Sequence, residues 1–277
     1  MKNIKELAFA KYQGLGNDFI ILQKAQIQGI DPADLAQRVC DRHFGIGADG
    51  LVVLAKASDL RMIFYNSDGS EAPMCGNASR CVAHYAIEHQ MVSKNSFVLQ
   101  TAGGNLPITY HANGLVTVNL GQPKLQPAEI PACWAGDNMI DVNLEINGQP
   151  LLLSAVNTTT PHAVVFVNDL DLIDIADWGQ QIENHELFPS KINANFVQII
   201  DQHTVRQTTW ERGAGQTLAC GTGACATTVA GVLSGRLAPE VEVHMTGGSL
   251  SISYDKTEIL MTGGVDRIAA GIYYYIG

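Results

Sequence analysis

Cys75 and Cys220 are each followed by glycine, in Met74-Cys75-Gly76-Asn77-Ala78-Ser79-Arg80-Cys81 and Ala219-Cys220-Gly221-Thr222-Gly223-Ala224-Cys225. Both dipeptides close a polar, glycine-bearing stretch and open a run of small helix-compatible residues. A cysteine at such a junction faces backbone N–H groups with no intrahelical partner and the positive end of the helix dipole. Its thiolate is stabilised there, and its pKa falls from about 8.5 toward neutrality. The same N–H groups, at Gly76, Asn77, Gly221 and Thr222, suit a carboxylate, and glycine lets it approach the backbone closely. Two such thiols on opposite faces of one carboxylate-bearing carbon would exchange its proton, one removing it and the other delivering one. That is the chemistry of a racemase or epimerase needing no cofactor. The carbon acid is far weaker than a thiol, so carboxylate binding must also stabilise the developing enediolate charge.

The elements that position the cysteines repeat. The two Cys-Gly dipeptides lie 145 residues apart, and the same offset lays Gly14–Ile20 onto Thr159–Val165 and Gly47–Val53 onto Ile192–Gln198. A glycine pair follows Cys81 and Cys225 by the same interval, at Gly103-Gly104 and Gly247-Gly248. This predicts two copies of one α/β unit, spanning 1–122 and 123–265, with Lys124–Pro150 as the crossover and the tail 266–277 returning to the first copy. Apolar and β-branched stretches at Phe19–Leu22, Leu51–Leu54, Val116–Val118, Val164–Val167 and Phe196–Ile199 predict strands. Asp31-Pro32 opens a helix expected to reach Arg42, and further helices are expected at Ala78–Gln90 and Ala224–Ser234. Strands outnumber helices, so the fold class is α+β.

The chain has 277 residues, 46% of them hydrophobic and 16% charged, with a formal charge of −10. That is ample material for two cores. The acidic balance excludes a nucleic-acid or anionic-membrane partner. No apolar run reaches the roughly 20 residues of a membrane span, and Met1–Glu6 lacks a signal-peptide core, which points to the cytoplasm. Cys40 and Cys133 are expected to be small core hydrophobes, and Cys81 and Cys225 to face the core from their helices. The spacings C-x₅-C and C-x₄-C do not suit zinc, and no metal site is expected. Asparagines in turn-rich stretches serve either as turn residues or as ligand contacts. A non-catalytic amino-acid-binding protein or a thiol redox sensor would use the same two cysteines.

The motifs Gly14-Leu15-Gly16-Asn17-Asp18-Phe19, Arg42–Gly50, Asn66-Ser67-Asp68-Gly69-Ser70, Glu211-Arg212-Gly213-Ala214-Gly215 and the two cysteine segments together resemble the diaminopimelate epimerase family, over residues 8–264. The resemblance implies two pseudo-symmetric α/β domains with the active site in the cleft between them, and usually a homodimer. It implies interconversion of LL- and meso-diaminopimelate without pyridoxal phosphate. Carried over by motif, Cys75 and Cys220 are the acid/base pair, and His162 and Glu211 assist them. Gly76, Asn77, Gly221 and Thr222 hold the reacting carboxylate. Asn17, Asn66, Asn193 and the Glu211-Arg212 pair contact substrate, Arg212 as a bidentate partner of the distal carboxylate. Where the family has Gly-Asn-Pro-His, this chain reads Thr159-Thr160-Pro161-His162, so Thr160 takes the place of a substrate-contacting asparagine. The alternative with the same fold is a racemase of another amino acid, such as histidine.

Overall fold

The computed structural model describes residues 4–56, 60–146 and 148–277. In chain order the first run of elements is β1 (Ile4–Gly14), β2 (Asn17–Gln23), α1 (Pro32–Cys40), β3 (Gly50–Lys56), β4 (Leu60–Asn66), β5 (Glu71–Ala72), α2 (Gly76–Glu88), β6 (Ser96–Thr101), β7 (Gly104–Tyr110) and β8 (Val116–Gly121). The second run is β9 (Met139–Ile146), β10 (Gln149–Asn157), β11 (Pro161–Val167), α3 (Ile175–Glu183), β12 (Asn193–Asp201), β13 (Thr204–Glu211), β14 (Gly215–Thr217), α4 (Gly221–Leu233), β15 (Glu240–Met245), β16 (Gly248–Tyr254) and β17 (Ile259–Gly263), followed by β18 (Asp266–Ile276). The chain divides into two compact units, Met1–Val118 with Gly263–Gly277, and Asn119–Thr262.

Strand pairing repeats step for step. β2 and β3 pair parallel, as do β11 and β12, and each second strand continues antiparallel into β4 or β13. β4 and β6 pair parallel, matched by β13 and β15, and antiparallel hairpins β6–β7 and β15–β16 follow. β1 pairs antiparallel with β2, and β10 with β11. On its other side β10 pairs with β9, the strand before it, whereas β1 pairs with β18 from the far end of the chain. The fold is therefore a duplicated α+β unit in which strands dominate.

Each unit encloses a thirteen-residue helix, ten of whose residues are buried in both α2 and α4. A helix buried on every side needs neighbours on every side. α4 touches β10, β11 and β12 as well as β15 and β16, so the strands of its unit curve around it. Small residues make that close fit possible: a Cβ on Gly231 would lie 2.3 Å from Leu237 Cδ1. α1 instead buries one stripe, Leu35, Ala36, Val39 and Cys40, against the outer side of its sheet.

Three expectations are corrected. α1 stops at Cys40, because Asp41 leaves the helix with ψ near 126° and the amides of Ile46 and Gly47 take up the carbonyl of Val39. The stretch 124–150 is more than a crossover, since it contains β9, whose Met139, Val142 and Ile146 enter the core of the second unit. Cys133 is exposed in the irregular segment before β9, not buried. Cys40, Cys81 and Cys225 are buried, and burial pushes the thiols of Cys40 and Cys81 up to about 12, so they are unreactive.

Candidate active site

Cys75 and Cys220 occupy the same structural position, as N-cap residues of α2 and α4, with extended backbones (φ −140°, ψ 120° and φ −130°, ψ 107°). Neither side chain caps its helix. By helix geometry the N–H groups of Gly76 and Asn77, and of Gly221 and Thr222, have no intrahelical acceptor. Each cysteine thus stands beside a ready anion site.

Around Cys75 the surroundings are amides and a buried cation. The Cys75 thiol lies 4.0 Å from Asn17 Oδ1, which also accepts a hydrogen bond from Asn77 Nδ2 at 3.2 Å. Asn17 opens β2, and its Nδ2 donates to Asp49 at 2.6 Å, so one side chain ties β2, the approach to β3 and the start of α2 together. Fully buried Arg80 donates to Asn77 Oδ1 at 2.9 Å. Asp18, next to Asn17 in the chain, pairs with Lys11 at 2.8 Å and Arg42 at 2.9 Å. Burial opposes ionisation of Asp18, but hydrogen bonds from Arg42 and Lys11 hold it below the usual carboxylate range. Asn66 ends β4 and donates to Ser70 Oγ at 3.0 Å.

Around Cys220 the same positions carry titratable and hydroxyl groups. The thiol is 3.5 Å from Thr222 Oγ1, which lies 2.9 Å from His162 Nε2 and accepts from Thr160 Oγ1 at 3.2 Å. Thr160 Oγ1 is itself 2.9 Å from His162 Nε2. Thr158 Oγ1 donates to the Thr222 carbonyl at 2.8 Å, fixing the turn before β11 to the start of α4. His162 is fully buried, and burial, with the Arg212 charge nearby, lowers its pKa to about 3, so the ring is neutral. Glu211 ends β13. Burial raises its pKa above the usual carboxylate range, against hydrogen bonds from Thr217 (2.8 Å) and the Cys220 thiol. A carboxylate that accepts from a thiol and is reluctant to stay charged is suited to take the thiol's proton.

Asn193 spends one amide N–H on the Pro161 carbonyl at 2.9 Å and accepts from the Arg212 backbone at 3.0 Å. The Arg212 guanidinium is exposed and donates to the carbonyls of Ser190 and Lys191. Asn17, Asn77, Gly76 and Cys75 are therefore brought together in one unit, and Thr160, His162, Glu211, Cys220, Gly221 and Thr222 in the other. Asn66 and Arg212 make their own local bonds.

Sequence reasoning assigned no role to Asp49, Arg80, Gln207 or Thr209. Asn195 donates to His162 Nδ1 at 3.1 Å and to the Ala163 carbonyl at 2.9 Å, and accepts from Thr209 Oγ1 at 2.9 Å. The available signal was the period-two spacing of Asn193 with Asn195 and of Gln207 with Thr209, which puts each pair on one face of its strand.

A solved hydroxyproline epimerase from Agrobacterium vitis superimposes with a TM-score of 0.73 at 14% identity, covering 100% of this chain and 95% of its own, so the two share a fold. The sequence model of the diaminopimelate epimerase family matches residues 9–126 and 154–268. A diaminopimelate epimerase of Carboxydothermus hydrogenoformans is 43% identical over 97% of this chain and 100% of its own length. One from Nitrosomonas eutropha is 43% identical over 96% and 98%. The chain belongs to the diaminopimelate epimerase family, and it is an isomerase.

Proposed function

We propose that this chain interconverts LL- and meso-diaminopimelate by a two-thiol mechanism without a cofactor. The observation that carries the reading is the pair of matched N-cap cysteines on α2 and α4, neither of them used to cap its helix. In one direction the Cys75 thiolate removes the α-proton while Cys220 delivers its own proton to the opposite face; in the other the roles exchange. The amides of Gly76, Asn77, Gly221 and Thr222 hold the reacting carboxylate and receive the enediolate charge as it develops. Glu211 accepts from the Cys220 thiol, and Asn17 from the Cys75 thiol. Arg212 is assigned to the distal carboxylate of the substrate by motif, and Asn66 and Asn193 to contact with the substrate.

One observation favours a second reading. Thr160 replaces the family's asparagine, and its hydroxyl is engaged with His162 and Thr222. A racemase of another amino acid, histidine for instance, would follow if the distal end were read differently. Incubating the protein in deuterated water with LL- and meso-diaminopimelate, histidine and a panel of other amino acids decides between them by α-deuterium incorporation. Exchange into histidine with none into diaminopimelate would overturn the proposal, and a requirement for added pyridoxal phosphate would contradict its chemistry.

We further infer a homodimer in the cytoplasm. Ile4 and, on β18, Ile272, Tyr274 and Ile276 form an exposed apolar row, with Ile4 opposite Ile276 in the register. Such a row marks an interaction surface. Two working thiols suit a reducing compartment. Among the described residues no helix is long and apolar enough to cross a membrane.

A further inference from the structure

The amide of Asn195 has one permitted orientation. Its Nδ2 lies 2.9 Å from the carbonyl oxygen of Ala163, where only a donor is tolerated, and its Oδ1 receives the Thr209 hydroxyl at 2.9 Å and the Gln207 amide at 3.4 Å. Rotating the amide by half a turn would set oxygen against oxygen at Ala163 and N–H against N–H at Gln207. The second N–H of Asn195 therefore points at His162 Nδ1, 3.1 Å away, which must present a lone pair. The ring proton is left on Nε2, which faces the hydroxyls of Thr222 and Thr160 at 2.9 Å each.

We propose that Asn195 is a positioning residue that holds His162 as the Nε2-protonated imidazole, so that His162 and the Thr222 hydroxyl form a one-way chain of donors ending on the Cys220 sulfur. The ring donates to Thr222 Oγ1, which frees the Thr222 proton for Cys220 at 3.5 Å. His162 then takes no proton from the thiol. It stabilises the thiolate through an intervening hydroxyl, while the thiol proton goes to Glu211 or to substrate. The complete burial of His162, with Arg212 nearby and a pKa of about 3, agrees with a ring that never becomes imidazolium at neutral pH. The amide has little room to move, since a Cβ on Gly223, in the first turn of α4, would lie 2.4 Å from Asn195 Oδ1. The role assigned to Cys220 rests on the two-thiol reading; the tautomer of His162 does not.

The test is nitrogen NMR of the full chain labelled at histidine, with the His162 signals assigned by their loss in His162→Gln, and needs no substrate. The expected result is a bare Nδ1 and a protonated Nε2; a proton on Nδ1, or on both nitrogens at neutral pH, overturns the proposal. Asn195→Asp places an acceptor opposite Nδ1 and should move the proton there. Alkylation of Cys220 by iodoacetamide, followed peptide by peptide, should then slow by about tenfold, the effect of one unit in thiol pKa, while Cys75 in the same molecules keeps its rate. An Asn195→Asp protein with the wild-type tautomer, or with unchanged Cys220 reactivity, counts against it. Thr222→Val, which cuts the chain downstream, should keep the tautomer and still slow Cys220. A confirmed tautomer in a protein that fails to exchange diaminopimelate would remove the substrate assignment alone.

Discussion

Asn17 and His162, 145 residues apart, make equivalent contacts with different chemistry: Asn17 meets the second residue of α2 at 3.2 Å, and His162 meets the second residue of α4 at 2.9 Å. The duplicated fold has kept the place of each partner while an amide serves one thiol and an imidazole with a hydroxyl serves the other. The two cysteines are matched in position and unlike in surroundings, and the predictions below separate what each surrounding does.

Replacing either thiol by a hydroxyl, Cys75→Ser or Cys220→Ser, should lower epimerisation by roughly 10³-fold, the scale of a lost general acid or base. Deuterium incorporation at the α-carbon, followed by NMR, measures it. A variant within tenfold of the parent would show that its cysteine does not transfer the proton.

The depressed pKa of His162 makes stability depend on pH. An unfolded chain protonates this histidine below about 6.5, whereas the folded chain does so only near 3. Between those values the unfolded state binds more protons, so stability falls as pH falls, by about 1.4 kcal/mol per pH unit and roughly 4–5 kcal/mol in all. Urea titrations of the parent and His162→Gln at pH 7, 6, 5 and 4 should show the parent losing about 3 kcal/mol more than the variant over that range. Parallel curves would refute the assignment.

Thr217 donates to Glu211 and opposes the upward shift that burial imposes. Thr217→Val removes that bond, so the carboxyl should rise further. The acid limb of the pH profile of kcat/KM should then move to higher pH, with activity recovered at alkaline pH. A profile that drops uniformly without moving would assign Thr217 to packing alone.

Gly223→Ala drives a methyl group into the Asn195 carbonyl. The expected cost is about 1–3 kcal/mol of stability, read from the midpoint of thermal or urea unfolding. Gly235→Ala, with positive φ but open space around it, separates backbone strain from the clash.

Charging the apolar row of β18 with Ile272→Asp and Tyr274→Asp should convert a dimer into a monomer by light scattering. Dimer retention at low micromolar protein would place the interface elsewhere.

Much of the site was legible because its physical signals are local. A glycine after a cysteine marks a helix start whether or not the rest of the chain is known, and the helices do begin at Gly76 and Gly221. Alternating Val, Ile and Leu marked the strands around them. The buried networks could not be read in the same way. Arg80 looks like a solvent-facing residue of a helix until the strands close around α2, and Asn195 looks like a turn residue until Thr209 stands opposite it in the register. Cys133 was misplaced because hydrophobic type alone says nothing about a loop that carries no regular structure. β9 carried a legible signal that went unused, since Ile140, Val142, Leu144 and Ile146 alternate with Asp141, Asn143 and Glu145.

Because β1 takes β18 as its neighbour, it leaves the ribosome well over two hundred residues before the strand that completes its side of the sheet. The second unit, contiguous from Asn119 to Thr262, is under no such delay. During translation the half bearing Cys220 can mature ahead of the half bearing Cys75, and a nascent chain arrested before residue 266 would hold one finished helix pocket and one still open to chaperones and proteases.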